Sequence, residues 1–214
     1  MRVMSRPLWA AVFVFGLLTG VAATAVVVGA VQSQAPPSKQ YRLPGIRQPF
    51  SDADINFMSG MIPHHAQAVI MAGWAPSHGA GAAVKLLCER IVVSQKDEIK
   101  LMQTWLGDRG QEVPATDATH HKMKMGDMVH EMLMPGMLTD AELKQLDAAR
   151  GKEFDRLFLT FMIKHHQGAL TMVKELFASY GAAQDDDVYK FASDVEADQE
   201  MEIGRMQDML AAIK

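Results

Sequence analysis

The sequence predicts an all-α protein: an antiparallel four-helix bundle built from two duplicated helical hairpins, preceded by one N-terminal hydrophobic helix. Three observations carry that expectation. The first is an internal repeat, in which Met61-Ile62-Pro63-His64-His65-Ala66-Gln67-Ala68 returns as Met162-Ile163-Lys164-His165-His166-Gln167-Gly168-Ala169, and Asp54 and Phe57 return as Asp155 and Phe158. Further on, Gln95, Glu98, Ile99, Met102 and Leu106 return as Gln199, Glu202, Ile203, Met206 and Leu210. An ordered match of this length is a duplicated supersecondary unit. The second is spacing by threes and fours, in Val84, Leu87, Ile91, Gln95, Glu98, Met102 and Trp105 and again in Val188, Phe191, Val195, Gln199, Glu202, Met206, Met209 and Ile213; such stripes are helix-packing faces. The third is composition: 214 residues, 49% hydrophobic and 21% charged, are enough to bury a core and exclude disorder of the whole chain.

The elements follow in chain order. Arg2 and Arg6 precede the uncharged run Leu8 to Val31, which is longer than the apolar part of a cleaved signal and long enough to span a bilayer. Residues 1–35 are therefore expected to be an uncleaved signal anchor. Ser33-Gln34-Ala35 offers a cleavage site, but Pro36 counts against cutting there. The expected location is the cell inner membrane, single-pass, with the domain facing the periplasm, or secretion if the signal is cleaved. Residues 36–50, with Pro36, Pro37, Pro44, Gly45 and Pro49, read as an extended linker. Residues 51–214 form the duplicated domain: a first hairpin over 51–110, a Met/His-rich connection over 111–138 and a second hairpin over 139–214. Helices are expected near 52–74, 81–106, 139–180 (broken or bent around Gly151) and 186–213. Ser51 with Asp54 and Thr139 with Glu142 supply N-terminal caps, and Gly107 and Gly181 suit helix ends.

Charge and cysteine usage narrow the function. Lys plus Arg number 21 against 25 Asp plus Glu, a formal charge of −4, which argues against nucleic acid as a partner. One Cys excludes a disulfide framework, a Cys-based zinc site and haem attachment. Seventeen Met and eight His remain to be explained, and only two of the Met lie in the first 50 residues.

The seam between the hairpins should be apolar, yet both copies place Gln and Glu on it, opposite helices bearing Asp54, Met61 and a His pair, or Asp155, Met162 and a second His pair. Met61 shares a helix face with His64 or His65, and Met71 lies two turns beyond His64; Met162, His165, His166 and Met172 repeat this. With Glu98, Met102, Glu202 and Met206 on the facing helices, these residues are the candidate metal ligands. Thioether is soft and imidazole borderline, so Met with His points to Cu(I) or Ag(I), and His with carboxylate to Cu(II). Adjacent His point about 100° apart, and one of each pair can instead bond a carboxylate that orients it. Helical angles favour His64 and His165 as soft-ion ligands, with His65 and His166 satisfying the seam. Ligation by His is expected to fail as pH drops through about 6.5. Pro63 removes a helix hydrogen bond next to the first pair.

The connection adds a second candidate set: His120, His121, Met123, Met125, Met128, His130, Met132, Met134 and Met137. Pro114, Gly126, Pro135 and Gly136 break helical periodicity there, so the segment is expected to be flexible, either wrapping a soft ion or packing as an apolar loop over the bundle end. Cys88 falls one residue from the Leu87 stripe position and reads as a small buried apolar residue.

Taken together, Phe57-Met58 with Met61-Ile-Pro-His64-His65, Gln95-x-x-Glu98-Ile-x-x-Met102, Pro135-Gly136-Met137, Phe154-Asp155-x-x-Phe158-Leu159 and Met162-Ile-x-His165-His166-x-Gly168-Ala169 resemble the bacterial domain-of-unknown-function family 305 over roughly residues 51–213. The resemblance implies an exported, ferritin-like four-helix protein, with copper binding and resistance known for some members. Fold follows more firmly than function from such a likeness. A membrane-tethered copper-binding protein for storage, delivery or resistance is the reading favoured, with a metal ion and the membrane as partners, beside an unidentified membrane protein. A ferritin-like di-iron oxidase would need Glu-x-x-His, which the chain lacks. A bundle haem protein with Met and His axial ligands stands as a further alternative. No nucleophile–base constellation or phosphate loop is evident, so the chain is not read as an enzyme. The rival is a non-enzymatic structural or accessory membrane subunit whose polar seam binds no metal.

Overall fold

The computed structural model describes residues 39–41, 49–116, 121–125 and 128–213, with 41, 121–125 and 128–131 described by backbone alone. The expected anchor, most of the linker and His120 lie outside the described residues. No described helix is long and apolar enough to cross a membrane.

Among the described residues five helices form: α1 (Asp52–Gly73), α2 (Ala82–Asp108), α3 (Asp140–Ala148), α4 (Lys152–Ala178) and α5 (Asp186–Ala212). Helix α2 packs along α1 and α5 along α4, and the two hairpins meet through α1 and α4. Both capping boxes form: Ser51 with Asp54 starts α1, and Thr139 with Glu142 starts α3. The helix expected over 139–180 is broken at Gly151, the alternative to a bend, into α3 and α4. Gly151 separates them at φ 58° and ψ −134°, a conformation open only to glycine, and its N–H donates to the His78 carbonyl at 2.8 Å. Helix α2 outruns Gly107, ending instead before Gly110, whose φ of +63° supplies the left-handed turn. Pro63 lies inside α1 without ending it.

Strands appear in two short antiparallel ribbons. Strand β1 (Gln40–Tyr41) pairs with β2 (Phe50–Ser51), so the expected free tether is held at this point, and Gln40 also donates to the Gly181 carbonyl at 3.1 Å. Strands β3 (His121–Met125) and β4 (Met128–Met132) replace the expected flexible connection with a paired ribbon.

The duplicated acids do different work from the seam role expected of them. Asp54 takes Ser51 N and Oγ at 2.7 and 2.8 Å and reaches across to Ala183 N, just before α5, at 2.7 Å. Asp155 accepts from Gly81 N, just before α2, at 3.1 Å with both oxygens. Each hairpin's first helix thus holds the other hairpin's turn. A further knot joins helix ends: Arg109 stacks 4.2 Å from the Trp105 ring and pairs at 2.5 Å with Asp185, which caps α5.

The connection returns to the bundle at Pro135–Leu138. Gln67 clamps the Leu138 backbone, accepting from its N–H at 2.7 Å and donating to its carbonyl at 3.0 Å. Its repeat partner Gly168 does the opposite, leaving room: a Cβ there would stand 1.9 Å from the Pro135 oxygen. Gly168→Ala should therefore destabilise the protein by about 1–3 kcal/mol through overpacking. Gly107→Ala, where a Cβ meets nothing, should gain about 0.5–1 kcal/mol from helix propensity. Urea melts of the two variants check this opposition.

Candidate metal centre

Two hydrophobic clusters make the core, and four histidines lie between them. One cluster contains Phe57, Met58, Met61, Met102, Met172 and Phe191; the other contains Met71, Leu87, Phe154, Phe158, Met162 and Met206. On α1, His64 and His65 follow Met61 and Ile62 of the first cluster and precede Ala68 and Met71 of the second; on α4, His165 and His166 follow Leu159 and Met162 of the second and precede Ala169 and Met172 of the first. The candidate thioethers therefore divide into two sets of three, one from each side of the histidine layer. Each set draws on both copies of the repeat.

All four imidazoles are fully buried. Ring centroids stand 6.2 Å apart for His64–His65, 3.8 Å for His64–His165 and 6.2 Å for His165–His166. His65 Nε2 donates to Glu98 Oε2 at 2.6 Å and His166 Nε2 to Glu202 Oε2 at 2.6 Å. The result is a chain of groups: Glu98, His65, His64, His165, His166, Glu202. His65 lies eight residues before the end of α1, whereas Glu98 lies sixteen beyond the start of α2. That stagger brings together residues which symmetric folding about the turn keeps two helical turns apart.

Hydrogen bonding settles where the protons sit. A carboxylate only accepts, so Nε2 of His65 and of His166 carries a proton. His64 Nε2 donates to the Pro135 carbonyl at 3.0 Å, with the same consequence. Nδ1 of His64, His65 and His166 is buried without a partner, and His165 lacks a hydrogen bond on either ring nitrogen; only a weak backbone interaction with His64 assists it. The asymmetry has a local cause. Pro135 bonds His64, while the equivalent place over α4 is filled by the close Pro135–Gly136 approach to Gly168.

Electrostatics keep the inner pair neutral. Burial first, then the His65 charge, drives the His64 imidazole down to about 3. His165 is lowered well below the ordinary range by burial, then by His64, His166 and His65. Burial pushes Glu98 up, but the hydrogen bond and charge of His65 and the Ser94 bond outweigh it, leaving this carboxyl below its usual value. Neutral imidazole is the form that binds a metal. The loss of His ligation expected near pH 6.5 is thus corrected for His64, which stays unprotonated far below that.

The structure brings Glu98 and Glu202 to His65 and His166 as orienting carboxylates, and buries Met61, Met71, Met102, Met162, Met172 and Met206 in the flanking cores. Met134 and Met172 meet over Gly60 on the outer side of α1, and Met137 Sδ accepts from Met134 N at 3.3 Å, which turns it towards the connection. Among the described residues no three His, Cys, Asp or Glu are gathered as a ready cage, so an ion among the histidines would draw on thioether as well. Sequence reasoning missed Gln67 and the Pro135 carbonyl; the Gln67/Gly168 difference between the copies was the available signal. It missed His78 too, held between Trp74 and Phe154 and bonded to Asp147 at 3.0 Å. Cys88 is buried, and burial pushes its thiol up to about 12, in keeping with an apolar role.

The sequence profile of the domain of unknown function DUF305 matches residues 54–210. The chain belongs to this family. A DUF305 crystal structure from Streptomyces coelicolor is 29% identical, covering 74% of this chain and 92% of that one at a TM-score of 0.61. CopM in its Cu(II)-bound form is 30% identical over 74% of this chain and 95% of CopM, with a TM-score of 0.57. CopM has also been solved with Cu(I) and with Ag bound. An uncharacterized protein of Acanthamoeba polyphaga mimivirus is 37% identical over 62 residues, 29% of this chain and 40% of that protein. These likenesses support metal binding at the level of the DUF305 family and agree with the mostly helical fold.

Acid should weaken this DUF305 chain through the same histidines. An unfolded histidine takes up its proton near pH 6.5 and folded His64 only near 3, so between those values the unfolded state binds more protons. The stabilisation is complete above pH 6.5 and drains away as pH falls towards 3, by about 1.4 kcal/mol per pH unit for each such histidine. Urea midpoints of the apo protein should fall steadily from pH 6.5 to pH 4, and His64→Leu should flatten that slope.

Proposed function

We propose that the chain is an exported, non-enzymatic metal-binding protein that takes up copper, as Cu(I) before Cu(II) and with Ag(I) as mimic, for storage, delivery or resistance. In this reading residues 51–214 are a ferritin-like four-helix bundle, tethered by residues 8–31 to the inner membrane and facing the periplasm. The observation that carries it is the inner imidazole pair. The His64 and His165 ring centroids stand 3.8 Å apart in the core, and beyond an interaction with the His64 backbone the His165 nitrogens are buried without partners. An unmet buried polar atom costs about 1–3 kcal/mol, and native interiors keep few without a reason. Ligation of a metal is such a reason. Copper fits the residues present, since neutral imidazole and thioether are what a soft monovalent ion prefers, and CopM binds the same ions. His64 and His165 would hold the ion, with thioethers from the flanking cores. Glu98 and Glu202 orient His65 and His166 and raise the basicity of their free Nδ1 atoms.

One observation favours the structural reading: His65–Glu98 and His166–Glu202 are short, closed pairs, as a purely stabilising network would have. A single variant separates the two. His165→Leu removes both unmet nitrogens while keeping the volume filled, so apo stability should be unchanged or rise by about 1 kcal/mol. Cu(I) affinity, read by competition with a chromophoric chelator, should meanwhile fall at least tenfold. A stability loss with unchanged Cu(I) affinity would establish the seam as structural. Equal affinities of the wild type for Zn(II) and Cu(I) would likewise remove the soft-ion assignment.

A further inference from the structure

The β3–β4 ribbon divides its residues by chemistry between its two faces. Its register pairs His121 with Met132, Lys122 with Glu131, Met123 with His130, Lys124 with Val129 and Met125 with Met128. Successive residues of a strand belong to opposite faces. The pairs His121/Met132, Met123/His130 and Met125/Met128 therefore share one face, and the pairs Lys122/Glu131 and Lys124/Val129 share the other. Every His and Met of the ribbon falls on the first face, and every charged residue on the second.

An ordinary packing face does not account for this division. Strand faces that pack use β-branched and aromatic residues, yet the ribbon's single β-branched residue, Val129, is on the lysine face. Two histidines among four methionines would also weaken a face meant only to exclude water. Residues directly opposite in an antiparallel pair have Cβ atoms about 4.5–5.5 Å apart, so each cross-strand pair sets two soft or borderline donors side by side. Cu(I) and Ag(I) accept two or three such neutral donors, whereas hard cations prefer oxygen, which no side chain of these three pairs supplies. The face is reachable at its end, where Met132 is 44% exposed.

We propose that this face binds at least one Cu(I) or Ag(I) ion across its His/Met pairs, apart from the buried histidine layer. Strand β3 contacts α1, the helix that bears His64 and His65, and the ribbon shares none of the core site's ligands. The site does not depend on the proposed core function, because none of its six donors belongs to the core. It also differs from a loose chain wrapping an ion, because it needs the register.

The experiment uses the full-length chain in detergent, titrated with Ag(I) while the ¹³C signals of the methionine methyls are followed. Wild type should show shifts at Met123, Met125, Met128 and Met132, with at least one bound ion assigned to them. Met125→Leu with Met128→Leu should weaken that uptake at least tenfold, and Lys122→Gln with Lys124→Gln should leave it intact. One glycine inserted between Val129 and His130 moves His130 and Met132 to the opposite face without removing a donor; uptake should then fall at least tenfold. The His64→Ala, His165→Ala double variant should keep the ribbon shifts, whatever becomes of the core site. Ribbon uptake unchanged by the insertion, or absent methyl shifts in wild type, would overturn the proposal.

Discussion

Everything in this fold is arranged around four imidazoles sealed in the core where α1 and α4 meet. A polar layer there divides the core into two hydrophobic clusters, and both must pack tightly enough to hold rings that contribute little cohesion of their own. The carboxylates of Glu98 and Glu202 grip the outer pair by Nε2, and the Pro135 carbonyl grips one of the inner pair. What remains is an inner pair held neutral by burial and left partly unmet. The stability surrendered at this layer is supplied by the large side chains above and below it, Phe57, Trp105 and Phe191 on one side and Leu87, Phe154 and Phe158 on the other.

The two copies of the repeat are alike where geometry demands it and unlike where the connection intervenes. Methionines at equivalent positions land in opposite clusters, so each side of the layer receives three thioethers. The departure comes at Gln67 and Gly168: one uses its amide to fix Leu138, the other uses the lack of a side chain to let Pro135 lie against α4. A single crossing segment cannot serve both helices in the same way. The consequence reaches the centre, since His64 finds a carbonyl and His165 does not.

Much of this could be read from the chain. The repeat, the capping boxes at Ser51 and Thr139 and the break at Gly151 followed from local spacing and turn chemistry, which act over a few residues. The His and Met ligand candidates followed from helix faces. What could not be read depends on distance through space. The stagger that brings Glu98 to His65 lies in how α2 sits along α1, and no periodicity encodes it. Asp54 and Asp155 share a helical angle with the seam, yet burial and neighbouring N–H groups at the helix starts claim their oxygens. The ribbon was hidden because Met and Lys in alternation have weak strand propensity, and only pairing reveals the pattern.

The reciprocal grip of Asp54 on Ala183 and Asp155 on Gly81 has a bearing on how such a protein is assembled. Neither hairpin completes its own turn; each borrows a carboxylate from its twin. Half of the molecule is thus an unfinished object, and the two halves gain order together. Since these ties cross between the hairpins and make no use of the chain that links them, the link is left to meet the helices at a few points: Pro114 on Gln103, the ribbon on α1 and the docking at Pro135–Leu138. Between those points its composition answers to something other than holding the hairpins together, and it is there that methionine is concentrated.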